Sequence, residues 1–215
     1  ADRAVLLAGI SHDLRTPLSR LRLELEMAQL PEETRAAAVG DIEQMDAIVR
    51  QFLDYARKVP QAPVSEVDLS AAITAALQRV RLDAEPSAEV EADIAPAVRI
   101  RGHATEIDRA LDNLLTNAMR YGRDPDSGKL QIHVSLQTDA DRASVCISDR
   151  GPGVPTHDIS RLLRPFERGD SARSGHTGAG LGLPIVERVA RMHGGDLRLC
   201  ENVPHGLRAE MRLPR

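Results

Sequence analysis

With 215 residues, 42% of them hydrophobic and 28% charged, the chain has the balance of a soluble globular protein large enough for two ordinary domains. Aromatic residues make up only 2% and Trp is absent, so a core must be built from Leu, Val, Ile, Ala and a few Met, which suits helix packing. A net charge of -4 with a pI near 6.0 excludes the overall basic field of non-specific nucleic-acid binding, and two cysteines exclude a disulfide framework.

Ala1 to Ile10 already read as the interior of a helix, with neither an initiator Met nor a signal peptide ahead of them. No run approaches the roughly 18 to 20 apolar residues of a membrane span. The expectation is a fragment of something longer. Leu7, Ile10, Leu14, Leu18, Leu21, Leu25 and Ala28 recur at steps of three and four, the apolar seam of a long amphipathic helix. Two successive steps of four at Ile10, Leu14 and Leu18 form a stutter, and Pro17 beside it removes a backbone donor and invites a bend. After Leu30-Pro31-Glu32-Glu33 a second seam runs through Ile42, Met45, Val49, Phe52 and Ala56, so residues 1–58 are expected to form a helical hairpin. Two helices with one stripe each cannot enclose a core, which predicts a four-helix bundle made by two chains.

Val59-Pro60-Gln61-Ala62-Pro63 ends the helix, and residues 59–66 read as a linker. From 67 to 215 the pattern is mixed α and β. A helix is predicted from Asp68-Leu69-Ser70 to about Leu82, a strand at Glu89–Ile94 and a helix at Thr105–Tyr121. Gln131–Leu136, Ser144–Ser148, Leu197–Leu199 and Leu207–Leu213 alternate like antiparallel strands with one buried face. A last helix near Leu183–His193 stops at Gly194-Gly195. The fold class is therefore α plus α/β, with helices on one face of a mixed sheet. Cys146 and Cys200 fall in alternating apolar runs and are expected to be reduced core thiols.

The stretch SHDLRTPL sets Ser11, His12 and Asp13 side by side, the residue types of a hydrolase triad. Consecutive helical residues diverge by about 100°, so the three cannot converge as a triad must. The helix offers a row instead, with His12, Arg15, Thr16 and Ser19 on the side opposite Leu14 and Leu18, and Asp13 beside the imidazole to orient it or take its proton. On the helix around Asn113 and Asn117, the stripe Ile107, Leu111, Leu114 and Ala118 is buried, while Glu106, Arg109, Asn113, Asn117 and Arg120 line the other face. Two amides one turn apart followed by a cation suit a metal-bound polyphosphate; a solvated polar face is the alternative.

Two glycine clusters follow. Asp149-Arg150-Gly151-Pro152-Gly153 comes directly after a strand, so the acid is held at a sheet terminus while the glycines admit a close approach to the backbone. Gly178-Ala179-Gly180-Leu181-Gly182 opens a helix whose free amides make an anion site. The spacing is neither a Rossmann fingerprint nor a P-loop, and the only lysines are Lys58 and Lys129. The polar, Arg-rich segment Thr156–Thr177 between the clusters is a candidate mobile lid. An amide-bearing helix, an acid at a strand end, a lid and an anion-binding helix start together describe a nucleotide site.

In this order the motifs resemble the catalytic core of the two-component sensor histidine kinases. SHDLRTPL is similar to the H box of that family, DNLLTNAMRYG to its N box, DRGPG to its first glycine box, RPFERGD to its F box and GAGLGL to its second glycine box, over residues 9 to 196. SHDLRTPLSRLRLE, QFLDYAR and PFERGDSAR are closer still to EnvZ-type osmosensor kinases. The resemblance implies a dimeric four-helix bundle followed by an ATP-binding α/β sandwich of the histidine kinase and Hsp90 type. It implies that His12 is the phospho-acceptor, Asp13 the general base, and Thr16 the residue that positions water for dephosphorylating the partner. By the same likeness Asn117 coordinates Mg2+ with Asn113 one turn before it, Arg120 and Tyr121 contact the nucleotide, and Asp149 receives the adenine amino group. Gly151, Gly153, Gly178, Gly180, Leu181 and Gly182 shape pocket and lid, and Phe166 is the F-box aromatic.

ATP and Mg2+ are the implied cofactors, and a second copy of the chain and an OmpR-like response-regulator receiver domain the implied partners, without nucleic acid. The implied location is the cytoplasmic portion of a bacterial inner-membrane protein, joined to the membrane through N-terminal segments absent from this sequence. Two departures stand out: Arg150, where many members carry another acid, and Pro184, tolerable in the first turn of a helix.

Two other readings compete. An ATPase of the Hsp90, gyrase and MutL type usually relies on a carboxylate one turn before the metal-binding Asn, where this chain has the amide of Asn113. A non-catalytic dimeric scaffold would have no use for His12, Asp13, Asn117 and Asp149 together. The remaining histidines, His103, His133, His157, His176, His193 and His205, show no metal-ligand spacing and read as surface or packing residues, with only His176 in the lid suggesting a nucleotide role.

Overall fold

The structure, a computed structural model, describes residues 16–28, 30–56, 63–83, 88–167 and 179–215. The elements in chain order are α1 (residues 16–27), α2 (Glu32–Ala56), β1 (Ser65–Asp68), α3 (Leu69–Asp83), β2 (Glu89–Ile94), β3 (Arg99–Gly102), α4 (Ala104–Tyr121), β4 (Gln131–Thr138), β5 (Arg142–Asp149), α5 (Thr156–Leu162), α6 (Gly182–Met192), β6 (Asp196–Glu201) and β7 (Leu207–Pro214). They form two compact units: the helices up to residue 56 together with residues 179–181, and the remainder from residue 63 on.

In the first unit Pro31 precedes α2, and Glu32 and Glu33 occupy its first turn, where carboxylates complement the helix dipole. Arg22 of α1 pairs with Glu43 of α2 at 3.3 Å and with Glu26 of its own helix at 3.1 Å, which ties the two helices into the expected hairpin. The apolar seam is only half covered. Ile42 is buried, while Leu21 is 49%, Met45 53% and Phe52 37% exposed.

In the second unit five strands run in the order β2-β4-β5-β7-β6, with β2 parallel to β4 and every other pair antiparallel. Alternation decides the face: Ile132, Val134 and Leu136 of β4, Ala143, Val145 and Ile147 of β5, and Ala209, Met211 and Leu213 of β7 are all buried. Against the sheet pack α4, through Ile107, Ala110, Leu111, Leu114, Leu115 and Ala118, and α6, through Ile185, Val186, Val189 and Ala190, while α3 packs on α4. The last helix ends as the paired glycines predict. Gly194 takes φ 74°, its N–H donates to the Arg191 carbonyl at 3.0 Å, and the Gly195 N–H reaches the Ala190 carbonyl at 2.8 Å. Pro184 sits in the first turn, where no N–H is needed.

Three features depart from the sequence reading. Ser65 and Glu66, assigned to the linker, pair with Gly102 and Arg101 as the start of β1, so β1 and β3 make a separate antiparallel ribbon. Each of these strands spans four residues with few buried positions, too short a run for alternation to stand out. Thr156–Leu162, placed in a structureless lid, is the helix α5, with Asp158 buried. Cys146 is a buried thiol as expected, but Cys200 is exposed, because β6 is an edge strand paired only with β7.

Candidate functional site

The amide-bearing face of α4 carries the first part of the site. Asn113 donates its Nδ2 to the Arg109 carbonyl at 2.8 Å, which fixes its rotamer and turns Oδ1 outward. A Cβ on Gly182 would stand 3.3 Å from that Oδ1, so the N-terminus of α6 comes up against Asn113 at a residue without a side chain. Asn117, one turn later and half-buried, makes no side-chain hydrogen bond among the described residues. Its amide oxygen is thus left as a hard donor of the kind that suits Mg2+, and the residues present fit such an ion.

The same face is not uniformly solvated, contrary to the alternative weighed from sequence. Glu106 is 5% exposed, and its carboxylate lies 3.3 Å from Arg109 and 3.8 Å from Arg188 of α6, so the N-terminal half of the polar stripe is an internal ion cluster. Arg120 lies with Asp112, Thr116 and Met119 of α4 and with Arg79 and Val80 of α3 around an open groove of about 580 Å³. Arg79 and Asp112 are paired across it at 2.7 Å.

At the C-terminal end of α4 the chain meets the end of β5. A Cβ on Gly122 would lie 2.6 Å from the Asp149 Cβ, and one on Gly151 would lie 2.1 Å from the Tyr121 carbonyl oxygen. Glycine at both positions is what lets helix end and strand end touch. Asp149 is 5% exposed, and its Oδ1 accepts the N–H of Gly151 at 2.9 Å and of Leu207 at 3.0 Å. Burial pushes its carboxyl above the ordinary carboxylate value, against the lowering pull of those two N–H groups. The Asp149 main-chain carbonyl accepts the side-chain amide of Asn202 at 2.7 Å. Gly153 takes φ 73°, and Arg150, where the family often has an acid, donates to the Val203 carbonyl.

In the last turn of α5, Arg161 donates to Asp158 of the same helix at 2.8 Å and to Glu167 beyond it at 3.1 Å. Between these anchors Phe166 adopts φ 67° and is 59% exposed, an uncommon conformation for a bulky residue. Gly180 takes φ 67° and Leu181 is buried, immediately ahead of α6 in the chain. Thr16 is exposed on α1. His12, Asp13, His176 and Gly178 lie outside the described residues.

The sequence reading singled out neither Asn202 nor Gly206 and took His205 only as a surface or packing residue; the three lie in the turn between β6 and β7 that backs Asp149. Turn composition marks a loop there, but nothing local says which strand end the loop covers. His205 also joins Asp124 and Asp126 in a cluster whose side-chain ligand atoms lie within 4.8 Å of one another, a grouping that sequence spacing did not reveal. The Asp124 Oδ1 is engaged by the N–H groups of Asp126 and Ser127 and the Ser127 hydroxyl, which accounts for that carboxylate as a turn-former.

Residues 2–60 match the model of the His Kinase A (phospho-acceptor) domain, and residues 102–215 that of the Histidine kinase-, DNA gyrase B-, and HSP90-like ATPase. The chain is 34% identical over 219 residues to the signal transduction histidine-protein kinase/phosphatase MprB of Mycolicibacterium vanbaalenii, covering 95% of this chain and 44% of that protein. It is also 34% identical over 218 residues to MprB of Mycolicibacterium smegmatis, covering 95% and 43%. The chain thus spans less than half the length of the curated relatives it matches. Among solved structures, a mycobacterial sensor histidine kinase MprB superposes with a TM-score of 0.60 at 31% identity over 70% of this chain and 97% of that one. Full-length ShkA in complex with AMPPNP shares the fold, with a TM-score of 0.76 at 21% identity over 99% of this chain and 46% of that one. Phospho-acceptor hairpin and ATPase-type sandwich in one chain, with the boxes in their order, make it a member of the two-component sensor histidine kinases, as a catalytic core.

Proposed function

We propose that this chain autophosphorylates on His12 at the expense of ATP and passes the phosphoryl group to an aspartate of a response-regulator receiver domain. Residues 1–58 would serve as the dimerisation and phosphotransfer domain and residues 67–215, with β1 extending them to Ser65, as the ATP-binding domain. The observation that carries the reading is the buried carboxylate of Asp149. With Oδ1 tied to two main-chain N–H groups, Asp149 presents its other oxygen to an exocyclic amine such as that of adenine.

The chemistry is positioning and electrostatics. Asp149 orients the base, while Asn117 and Asn113 face the polyphosphate end and Asn117 is the residue to hold Mg2+. When bound, that ion neutralises charge on the phosphate oxygens. An imidazole nitrogen of His12 attacks the γ-phosphorus, the bond from that phosphorus to the bridging oxygen breaks, and ADP departs; Asp13 takes the proton the ring releases. The phosphoryl group then moves from nitrogen to a carboxylate oxygen of the regulator. In the opposite mode Thr16 orients the water that hydrolyses that aspartyl phosphate. An OmpR-like regulator, and a location on the cytoplasmic side of a bacterial inner membrane, complete the reading. The half-covered seam of α1 and α2 supports a homodimer.

Incubation with γ-labelled ATP tests the core of it. Acid-labile, base-stable label on the protein that disappears in His12→Gln is the expected result. Free phosphate without protein label would indicate an ATPase of the gyrase and Hsp90 kind, and nucleotide binding without turnover a scaffold.

A further inference from the structure

We infer that Asn202 and His205, on the turn between β6 and β7, are positioning residues for nucleotide recognition, holding the loop Asp149–Gly151 from behind. The inference rests on the reading of Asp149 as the base-recognising carboxylate. That residue stands at the end of a strand, and the following segment, Arg150-Gly151-Pro152-Gly153, has no regular structure to hold it. A carboxylate selects an amine only if its oxygens are fixed to a few tenths of an ångström, so something outside β5 must supply the rigidity.

The β6–β7 turn and the first residue of β7 supply it through four separate contacts. The side-chain amide of Asn202 donates to the Asp149 carbonyl at 2.7 Å, and the Leu207 N–H donates to the Asp149 carboxylate at 3.0 Å. His205 Nδ1 donates to the Gly151 carbonyl at 3.1 Å, since a carbonyl can only accept. Arg150 reaches back to the Val203 carbonyl. The turn is closed on itself by the Asn202 N–H on the Gly206 carbonyl at 3.0 Å, and it lies so close that a Cβ on Gly206 would stand 2.0 Å from the Asp149 carbonyl oxygen. His205 Nε2 lies 3.4 Å from Asp124 Oδ2, a contact that anchors the ring when both its nitrogens carry protons, and Asp124 is immobilised by three donors of its own turn. A connected path therefore runs from the loop after α4, through the imidazole, to the loop that follows the carboxylate.

These contacts use side-chain atoms at Asn202 and His205, so they can be removed singly while Asp149 stays in place. The measurements are KM for ATP and kcat in autophosphorylation, and Tm without nucleotide, on the full chain. Asn202→Ala and the isosteric Asn202→Asp, which lacks the donor, are expected to raise KM about 5–10-fold with kcat at saturation unchanged. His205→Asn places an amide nitrogen where Nδ1 stands and is expected to keep KM within about twofold of the original. His205→Gln, whose nitrogen mimics Nε2 instead, and His205→Ala are expected to behave like Asn202→Ala. A fall in Tm with unchanged KM in all four disruptive variants would assign the turn a structural role only and overturn the inference. Asp149→Asn is the control: if it loses ATP while the turn variants keep it, the inference alone fails. If it binds ATP as before, the reading beneath the inference fails with it.

Discussion

The main-chain N–H of Leu207 on β7 reaches the Asp149 carboxylate at the end of β5, 3.0 Å away, and shares Oδ1 with the Gly151 N–H. Two donors hold the anion without neutralising it, and burial raises its pKa. The native state therefore keeps this proton to a higher pH than the unfolded chain does. Its contribution to stability is full below the unfolded carboxylate value and is lost as pH rises through the native one. Asp149→Asn, which keeps an oxygen for both donors, is expected to leave stability at neutral pH unchanged or higher by up to about 1 kcal/mol. The same variant loses a charged acceptor for the nucleotide, so affinity for ATP should fall about 10–100-fold. An amine donor favours the ionised form, so in the parent chain ATP binding should weaken as pH falls through the raised native pKa. Calorimetric titration and thermal melts of both proteins, at neutral and mildly acidic pH, check all three.

Phe166 combines a left-handed backbone with an exposed ring, between the anchors Arg161 and Glu167. A side chain in that region costs about 1–2 kcal/mol, a strain that glycine at this position would relieve. Phe166→Gly is expected to raise Tm or leave it unchanged while autophosphorylation falls, and Phe166→Ala to lose activity without the gain in Tm. Melts without nucleotide and label incorporation separate the two effects; a large loss of Tm in Phe166→Gly would show that the ring is part of the core.

His193 holds α6 to the start of α4. Its Nδ1 donates to the Val189 carbonyl at 2.8 Å, and its Nε2 accepts the His103 N–H at 2.9 Å, an arrangement only the neutral tautomer can make. The ring fits because Gly102 has no side chain: a Cβ there would sit 2.7 Å from the His193 Cδ2. His193→Phe strands a backbone donor and should cost about 2 kcal/mol, or roughly 4–8 °C in Tm. Gly102→Ala should be destabilising in the same direction. Nucleotide affinity of the folded variants is expected to stay within about twofold, which differential scanning calorimetry with and without ATP would establish.

Period carried the reading of the sequence where elements were long. Ile107, Leu111, Leu114 and Ala118 recur at helical steps and are buried, and the alternation of Ile132, Val134 and Leu136 fixes the face of β4. Asp149 was legible because an acid follows an apolar strand and precedes glycines. Glu106 was not, because its burial depends on Arg188 in a helix far along the chain, and a stripe of polar residues looks alike whether water or another helix covers it. The same holds for His205, whose partners Asp124 and Gly151 come from two other loops. Local pattern reports which way a residue faces; what it meets there is set by topology.

The hairpin seam invites the last test. Met45 is 53%, Ile48 37% and Phe52 37% exposed, and they recur at steps of three and four on one side of α2, with Leu21 of α1 at 49%. Burying a large apolar side chain is worth about 1.5–3 kcal/mol, and in a symmetric dimer each substitution acts twice. With Met45 53% and Phe52 37% exposed, only that remaining surface is left to bury, so Met45→Glu with Phe52→Glu is expected to weaken self-association by about 3–5 kcal/mol, or roughly 10²–10⁴-fold. The α/β unit has its own core, so its affinity for ATP should stay within about twofold. Sedimentation equilibrium alongside ATP titration reads both quantities. A double variant that remains dimeric would show that these side chains lie outside the interface, and one that loses ATP binding would show that the nucleotide site depends on the bundle.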